Sequence, residues 1–366
     1  MINYSSAIIS FVVCLCLVPL LRPLALRYGL TDHPSDRKHH HGQIPLCGGI
    51  AIFLASISVW LLTATQLTPL KMAFFMAGSL LLLLGLLDDL WELSSRWRLV
   101  FQAAAALLLV YVGNVSLVYF GDLLGNGQPV YLNGIWSTLA TVFCVIGVVN
   151  ATNMIDGLDG LAGGMVLIAL FWFLLIATDL SDWAVVSIIL IFIGAVAGFL
   201  VYNLRYPGHR KASVFMGDAG STLLGLLLAF LAIRLTQGQG LGHGHVHPQQ
   251  HLPPMNAVWM LGLPLLDTLS LMLRRVLKGR SPFSADRDHL HHILLRAGFS
   301  IEQTVCILFT ISAAFGAIAY IAWRQSVPEY VLFYTAWGVF FVYIFFQKHA
   351  WQIMRRIKSL GPDSKS

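Results

Sequence analysis

The chain is built from apolar runs whose length matches a lipid bilayer. Runs of roughly 17 to 25 residues, enough to cross about 30 Å of hydrocarbon as helix, recur through the chain with short polar connections between them. The 366 residues are 57% hydrophobic and 11% charged, with a mean hydropathy of +0.74, values that exclude an ordinary soluble globular domain. The pattern predicts an all-α, polytopic membrane protein with eleven spans near 5–26, 46–66, 71–87, 97–117, 136–151, 161–178, 183–202, 219–235, 256–275, 301–323 and 328–348. No run of composition suggests a second, soluble domain, so residues 1–366 read as one transmembrane unit. Met1 to Leu21 lacks a basic start, and Arg22 and Arg27 follow its apolar stretch, which describes a first span better than a cleaved signal. Cys14, Cys16, Cys47, Cys144 and Cys306 lie in or beside apolar runs without metal-ligand spacing and read as inert thiols.

Charge orients the bundle. With the N-terminus outside (periplasmic) and the C-terminus cytoplasmic, only Lys71, Arg234 and Arg324 of the 23 basic residues fall outside, as positive-inside topology requires. A miscounted span would reverse every later loop and destroy that bias. The net charge of +6 is then a topology signal with an attraction for anionic membrane lipids. No basic stripe interleaved with exposed aromatics points to nucleic acid. The stretch from Gly238 to His251 reads as a flexible outer loop; a metal clasp from His243, His245, His247 and His251 is the alternative.

The acids sort by side. Asp88 and Asp89 end the third span, Asp156 and Asp159 follow the fifth, Asp218 opens the eighth, and Asp286 and Asp288 follow the ninth, all facing the cytoplasm. Asp122, Asp179, Asp182 and Glu329 face outward. A coupled transporter would place ionisable groups near the midplane, on broken helices within repeats; here they ring one mouth and no repeat is visible. In "NATNMIDGLDGLAGG" the spacing of three predicts Asn153, Asp156 and Asp159 on one face of a helical turn. Carboxylates and amides beside arginines and histidines form a set suited to Mg2+ and phosphates. Any one acid alone is as well explained as a marker of the water boundary.

Five motifs in order, "DHPSDRKHHHGQIPLCGGI", "LLGLLDDLWELS", "NMIDGLDGLAGG", "VFMGDAGSTLLG" and "SPFSADRDHLHHILLRAGF", resemble those of the polyprenyl-phosphate N-acetylhexosamine-1-phosphate transferases over nearly the whole chain. The run His289, Leu290, His291, His292 resembles the HIHH loop of the branch that moves GlcNAc-1-phosphate, and departs from the HHH run of the muramyl-pentapeptide branch. The resemblance implies transfer of GlcNAc-1-phosphate from UDP-GlcNAc to undecaprenyl phosphate. The products would be undecaprenyl-diphosphate-GlcNAc and UMP, the first membrane step of O-antigen or related surface-glycan assembly at the bacterial inner membrane. The alternatives are another UDP-N-acetylhexosamine or, from a different class, a transporter. The sequence is compatible with a homodimer and specifies no oligomeric state.

The resemblance implies roles residue by residue. Asp218 is the expected Mg2+ ligand (Mn2+ is the other candidate ion), with an ordinary helix cap as its plain alternative. Asp88 and Asp89 are expected at the metal and the lipid phosphate, as base, nucleophile or ligand. A phosphate monoester is largely dianionic at neutral pH, which favours direct attack by the lipid phosphate. Asn153, Asp156 and Asp159 are expected to bind nucleotide and shape the metal site, and Phe215 to stack on uracil. Arg275, His289, His291 and His292 are expected on the diphosphate, supplying donors and, where protonated, charge, with His289 counted among the catalytic groups. Arg98 is expected at the lipid phosphate, and Asp267, inside the ninth span, as a buried polar support. Arg37, Lys38 and His39 add charge at the same mouth. The expected active-site face comprises loops near 27–45, 88–96, 152–160, 203–218 and 276–300.

Overall fold

The computed structural model describes residues 4–32, 43–63, 68–238, 251–281 and 289–360, with side chains described to 349. Its long elements are α1 (Ser5–Arg27), α2 (Gly48–Thr63), α3 (Pro69–Trp91), α4 (Ser95–Tyr111), α5 (Ile135–Met154), α6 (Leu161–Asp179), α7 (Trp183–Asn203) and α8 (Gly217–Gln237). After these come α9 (Pro254–Met260), α10 (Gly262–Leu277), α11 (Leu290–Ala297), α12 (Ile301–Arg324) and α13 (Glu329–Leu360). Two short antiparallel ribbons interrupt the helices: β1 (Thr31–Asp32) with β2 (Ile44–Pro45), and β3 (Tyr119–Gly121) with β4 (Val130–Tyr131). Strands of two or three residues carry no readable alternation, so the sequence showed only loops there.

Every expected span contains a helix, but not every helix meets the length of a crossing. Among the described residues eight are long and apolar enough, or nine if α9 and α10, bent by 83°, count as one. Of the eleven expected spans, those at α2 and α4 fall short of that length among the described residues. α2 has 16 residues, a rise of about 24 Å, and α4 has 17 and opens on Arg96 and Arg98.

Several starts are written in the sequence. Thr68 accepts from Lys71 N with Pro69 following it, and Ser300 and Gln303 form a reciprocal capping box on α12, each satisfying amides that a helix start leaves unpaired. At the starts of α8 and α11 a residue of a neighbouring helix supplies the partner.

α8 is the axis of the bundle. Of its 18-residue apolar window 89% is buried within the protein, against 6% for α13, so α8 is surrounded by helices and α13 faces lipid. Small residues bring backbones together around it, as expected where no water drives helices to associate. A Cβ on Gly85 of α3 would overlap the backbone of Ala219, and one on Gly49 of α2 would overlap Gly220. Both contacts lie at the start of α8.

The far end of α8 lies about 30 Å away and carries a separate set of charges. Arg234 pairs with Asp182 at 3.1 Å, and Arg324 with Asp179 at 3.0 Å. Glu329 accepts from Asp122 N at 3.1 Å. Two of the three basic residues that break the inside bias are therefore neutralised by acids at their own end of the bundle.

Candidate active site

The site is assembled where α3 ends and α8 begins. Helix α8 has no side-chain cap of its own. Its first amides are capped from α3 instead, Asp89 accepting from Asp218 N at 2.9 Å and from Ala219 N at 3.4 Å, where a carboxylate also meets the positive end of the helix dipole. Both Asp89 oxygens thus face the backbone at the start of α8, a capping role not expected of it from the sequence. The capping alternative raised for Asp218 belongs to Asp89, and the Asp218 side chain is left for other partners.

Asp88, one residue earlier, points the other way. It is 5% exposed. Its carboxylate accepts from Leu93 N at 2.7 Å and lies 2.7 Å from Arg98 Nε. Arg98, from the first turn of α4, also reaches to 3.7 Å of Asp218, and the Asp88 and Asp218 carboxyl groups adjoin each other. One guanidinium therefore serves two convergent acids.

The fifth span brings a neutral donor. Asn153 Nδ2 donates to Asp218 Oδ1 at 2.7 Å and to Ser221 Oγ at 2.8 Å. The expected single helical face of Asn153, Asp156 and Asp159 is corrected: α5 ends at Met154, so the two acids sit in the loop. Asp156 is exposed. Asp159 accepts from Arg205 Nε at 2.7 Å and from Ala212 N at 3.1 Å, and Arg205 also approaches Glu302 at 3.5 Å. Asp159 thus ties the α5–α6 loop to the α7–α8 connection. Phe215 is half-buried against the core, and its backbone is pinned to Pro45 and Gly48, which fixes the approach to α8.

The histidines close another side. His289, His291 and His292 form one ring cluster, with centroids 5.5 Å apart for His289 and His291 and 4.2 Å for His291 and His292. His291 packs on Gly157, where a Cβ would collide with its ring, so the cluster abuts the Asn153 loop. Burial pushes His291 down to about 3, with the neighbouring His292 and His289 adding to the effect. A ring held down in this way offers the diphosphate a donor or acceptor and no positive charge, one of the two contributions expected of it. Arg275 is buried near the end of α10.

Residues 71–236, from α3 through α8, match the model of glycosyl transferase family 4. The undecaprenyl-phosphate alpha-N-acetylglucosaminyl 1-phosphate transferase of Escherichia coli K12 is 34% identical over 344 residues, covering 92% of this chain and 89% of that protein. Its counterpart from Haemophilus influenzae is 36% identical over 365 residues, 98% of each chain, and that of Yersinia pestis is 33% identical over 338 residues, 92% and 89%. The chain belongs to glycosyl transferase family 4. The chain is a multi-pass membrane protein.

The family segment holds Asp88, Asp89, Asn153, Asp159 and Asp218 but stops before the histidines. Two participants escaped the sequence reading. Arg205 looked like an inside anchor, and the start of the α7–α8 connection gave no sign of its partner. Asp267 was legible as a polar residue in a span but not as the partner of His289, to which it lies at 2.8 Å. The expected contributions of Arg37, Lys38, His39, Asp286 and Asp288, and the clasp of His243, His245 and His247, lie outside the described residues.

Proposed function

We propose that the protein transfers GlcNAc-1-phosphate from UDP-GlcNAc to undecaprenyl phosphate, with a divalent cation, at the cytoplasmic face of a bacterial inner membrane. The convergence of Asp88 and Asp218 on Arg98, with Asn153 donating to Asp218, carries this reading. The kinship with transferases named for undecaprenyl phosphate and N-acetylglucosaminyl 1-phosphate supports the substrate pair. With the N-terminus outside and eleven crossings, as hydropathy and the charge bias lead one to expect, these residues would lie at one mouth, where a cytoplasmic nucleotide sugar meets a membrane-bound acceptor. The product would begin O-antigen or related glycan assembly.

The donor set fits Mg2+. It consists of hard oxygens, and the two acids already draw one cation, Arg98, between them. Among the described residues no three His, Cys, Asp or Glu side chains are grouped so as to hold a metal ion between them. Mg2+ commonly takes one or two carboxylates and completes its shell with water and phosphate oxygens, so Asp88 and Asp218 would hold it. When bound, it would neutralise charge on the diphosphate.

The chain's own part is positioning. A lipid phosphate oxygen attacks the sugar-bearing phosphorus, a P–O bond forms there, and the bond to the UMP oxygen breaks. Arg98 holds negative charge close to Asp88 without mutual repulsion, and Asn153 keeps Asp218 from rotating away. Purified protein incubated with undecaprenyl phosphate, Mg2+ and a panel of UDP-sugars tests the reading through UMP and lipid-linked product. UDP-GlcNAc is expected to be used best, and activity is expected to vanish with EDTA and in Asp218→Ala. Transport of a solute without UMP release would overturn it.

A further inference from the structure

The ninth span breaks by 83° between α9 and α10, and α10 carries Asp267, an acid 3% exposed. Hydrocarbon offers such a group no water, so its partners decide what it is for. Four donors converge on it. His289 Nδ1 lies 2.8 Å from Oδ2, while Leu290 N at 3.1 Å, Tyr343 Oη at 2.6 Å and Gln347 Nε2 at 3.4 Å address Oδ1. They come from the start of α11 and from the last span, α13, elements that approach α10 only in the folded protein.

A carboxylate oxygen only accepts, so the proton shared with His289 sits on Nδ1. That leaves Nε2 as the nitrogen available to another partner. The ring is held in place as well as in tautomer: it stacks on His291 at an interplanar angle of 12°, and His291 packs on Gly157 in the loop that follows Asn153. The Asp267 pairing therefore governs how this histidine faces the nucleotide-side loop.

We propose that Asp267 is a positioning residue. By accepting the Nδ1 proton of His289 it fixes that ring so that Nε2 is presented to the diphosphate of the nucleotide sugar, and Tyr343 and Gln347 of α13 hold the carboxylate for the task. Protonated at Nε2, the ring donates to a phosphate oxygen, and the buried carboxylate balances its charge. The proposal rests on the transferase reading above.

Asparagine at 267 makes the test sharp. Three donors face Oδ1 and one faces Oδ2, so the amide oxygen of Asp267→Asn stays with the three and its NH2 turns toward His289. The ring must then accept at Nδ1 and carry its proton on Nε2, the opposite tautomer. The experiment compares wild type, Asp267→Asn, Asp267→Glu, His289→Gln and the Asp267→Asn/His289→Gln double variant, by UMP release and by 15N NMR of enzyme labelled at histidine. The signal lost in His289→Gln assigns the ring.

Asp267→Asn is expected to lower kcat about 10–100-fold, the usual effect of removing a group that orients a functional histidine, with KM for undecaprenyl phosphate little changed. The glutamate variant recovers part of the loss, and the asparagine change costs nothing further once His289 is gone. The wild-type ring shows Nδ1–H and the asparagine variant Nε2–H. An equal loss in both backgrounds, or a wild-type ring protonated on Nε2 alone, overturns the proposal; the second needs no variant to fold. A wild type that releases no UMP overturns the transferase reading and this proposal with it, whereas wild-type turnover with misbehaving variants overturns the proposal alone.

Discussion

Asn153 on α5 donates to Asp218 on α8 at 2.7 Å, so the orientation of one acid is set by the end of a different span. Removing that donor frees Asp218 to rotate. Asn153→Ala is expected to lower kcat by about 10–100-fold, the range for groups that orient a ligand, with a small change in thermal midpoint. Asn153→Asp sets a like charge against Asp218 and is expected to be worse. UMP release and a melt in detergent check both; full turnover in the two variants would remove Asn153 from the site.

Asp89 predicts a stability effect. As the cap of α8 it is worth about 0.5–2 kcal/mol, so Asp89→Ala should lower the melting midpoint. Asp89→Asn should regain part of it, because the amide oxygen still accepts from Asp218 N. Asp88→Ala, which removes an acid facing Arg98, should lose activity beyond any change in midpoint. Equal midpoints for wild type and Asp89→Ala would refute the capping role.

The Asp159 and Arg205 pair invites a double-mutant cycle. If Asp159 acts by tying the loop to Arg205, Asp159→Asn and Arg205→Gln should each raise KM for UDP-GlcNAc by a similar factor. The double variant should be little worse than either, a coupling of about 0.5–3 kcal/mol. A nucleotide contact made by Asp159 itself would show as an Asp159→Asn effect that persists undiminished in Arg205→Gln.

His291 sets a pH dependence of stability. An unfolded histidine titrates near 6.5, whereas burial holds this one down to about 3. Between those values the unfolded chain binds a proton that the folded chain does not, so stability falls as pH falls, by up to about 1.4 kcal/mol per pH unit. The contribution is fully present above pH 6.5. His291→Gln should flatten the decline between pH 6.5 and 4 in thermal inactivation assays; an unaltered slope would show that the ring titrates normally.

Much of this architecture could be read from residues alone, and the failures share a cause. Span positions and the HxHH cluster follow from local pattern, because hydropathy and residue type act over neighbouring residues. The division of labour within the Asp88 and Asp89 pair did not. Adjacent residues on α3 point in different directions, and which one meets α8's amides depends on Gly85 packing against Ala219. The helical face assigned to Asp156 and Asp159 failed because α5 stops at Met154, where Asp159 finds Arg205, a partner 46 positions away. Partnerships of that range are decided by tertiary packing, which spacing does not encode.

The last span is the most lipid-bathed of the long helices, with 6% of its apolar window enclosed, yet Tyr343 on it donates to Asp267 at 2.6 Å. A helix so loosely held answers to its surroundings, since spans tilt to match the thickness of the hydrocarbon around them. Turnover should accordingly vary with acyl-chain length in reconstituted vesicles, the membrane acting on the reaction through one phenolic hydroxyl.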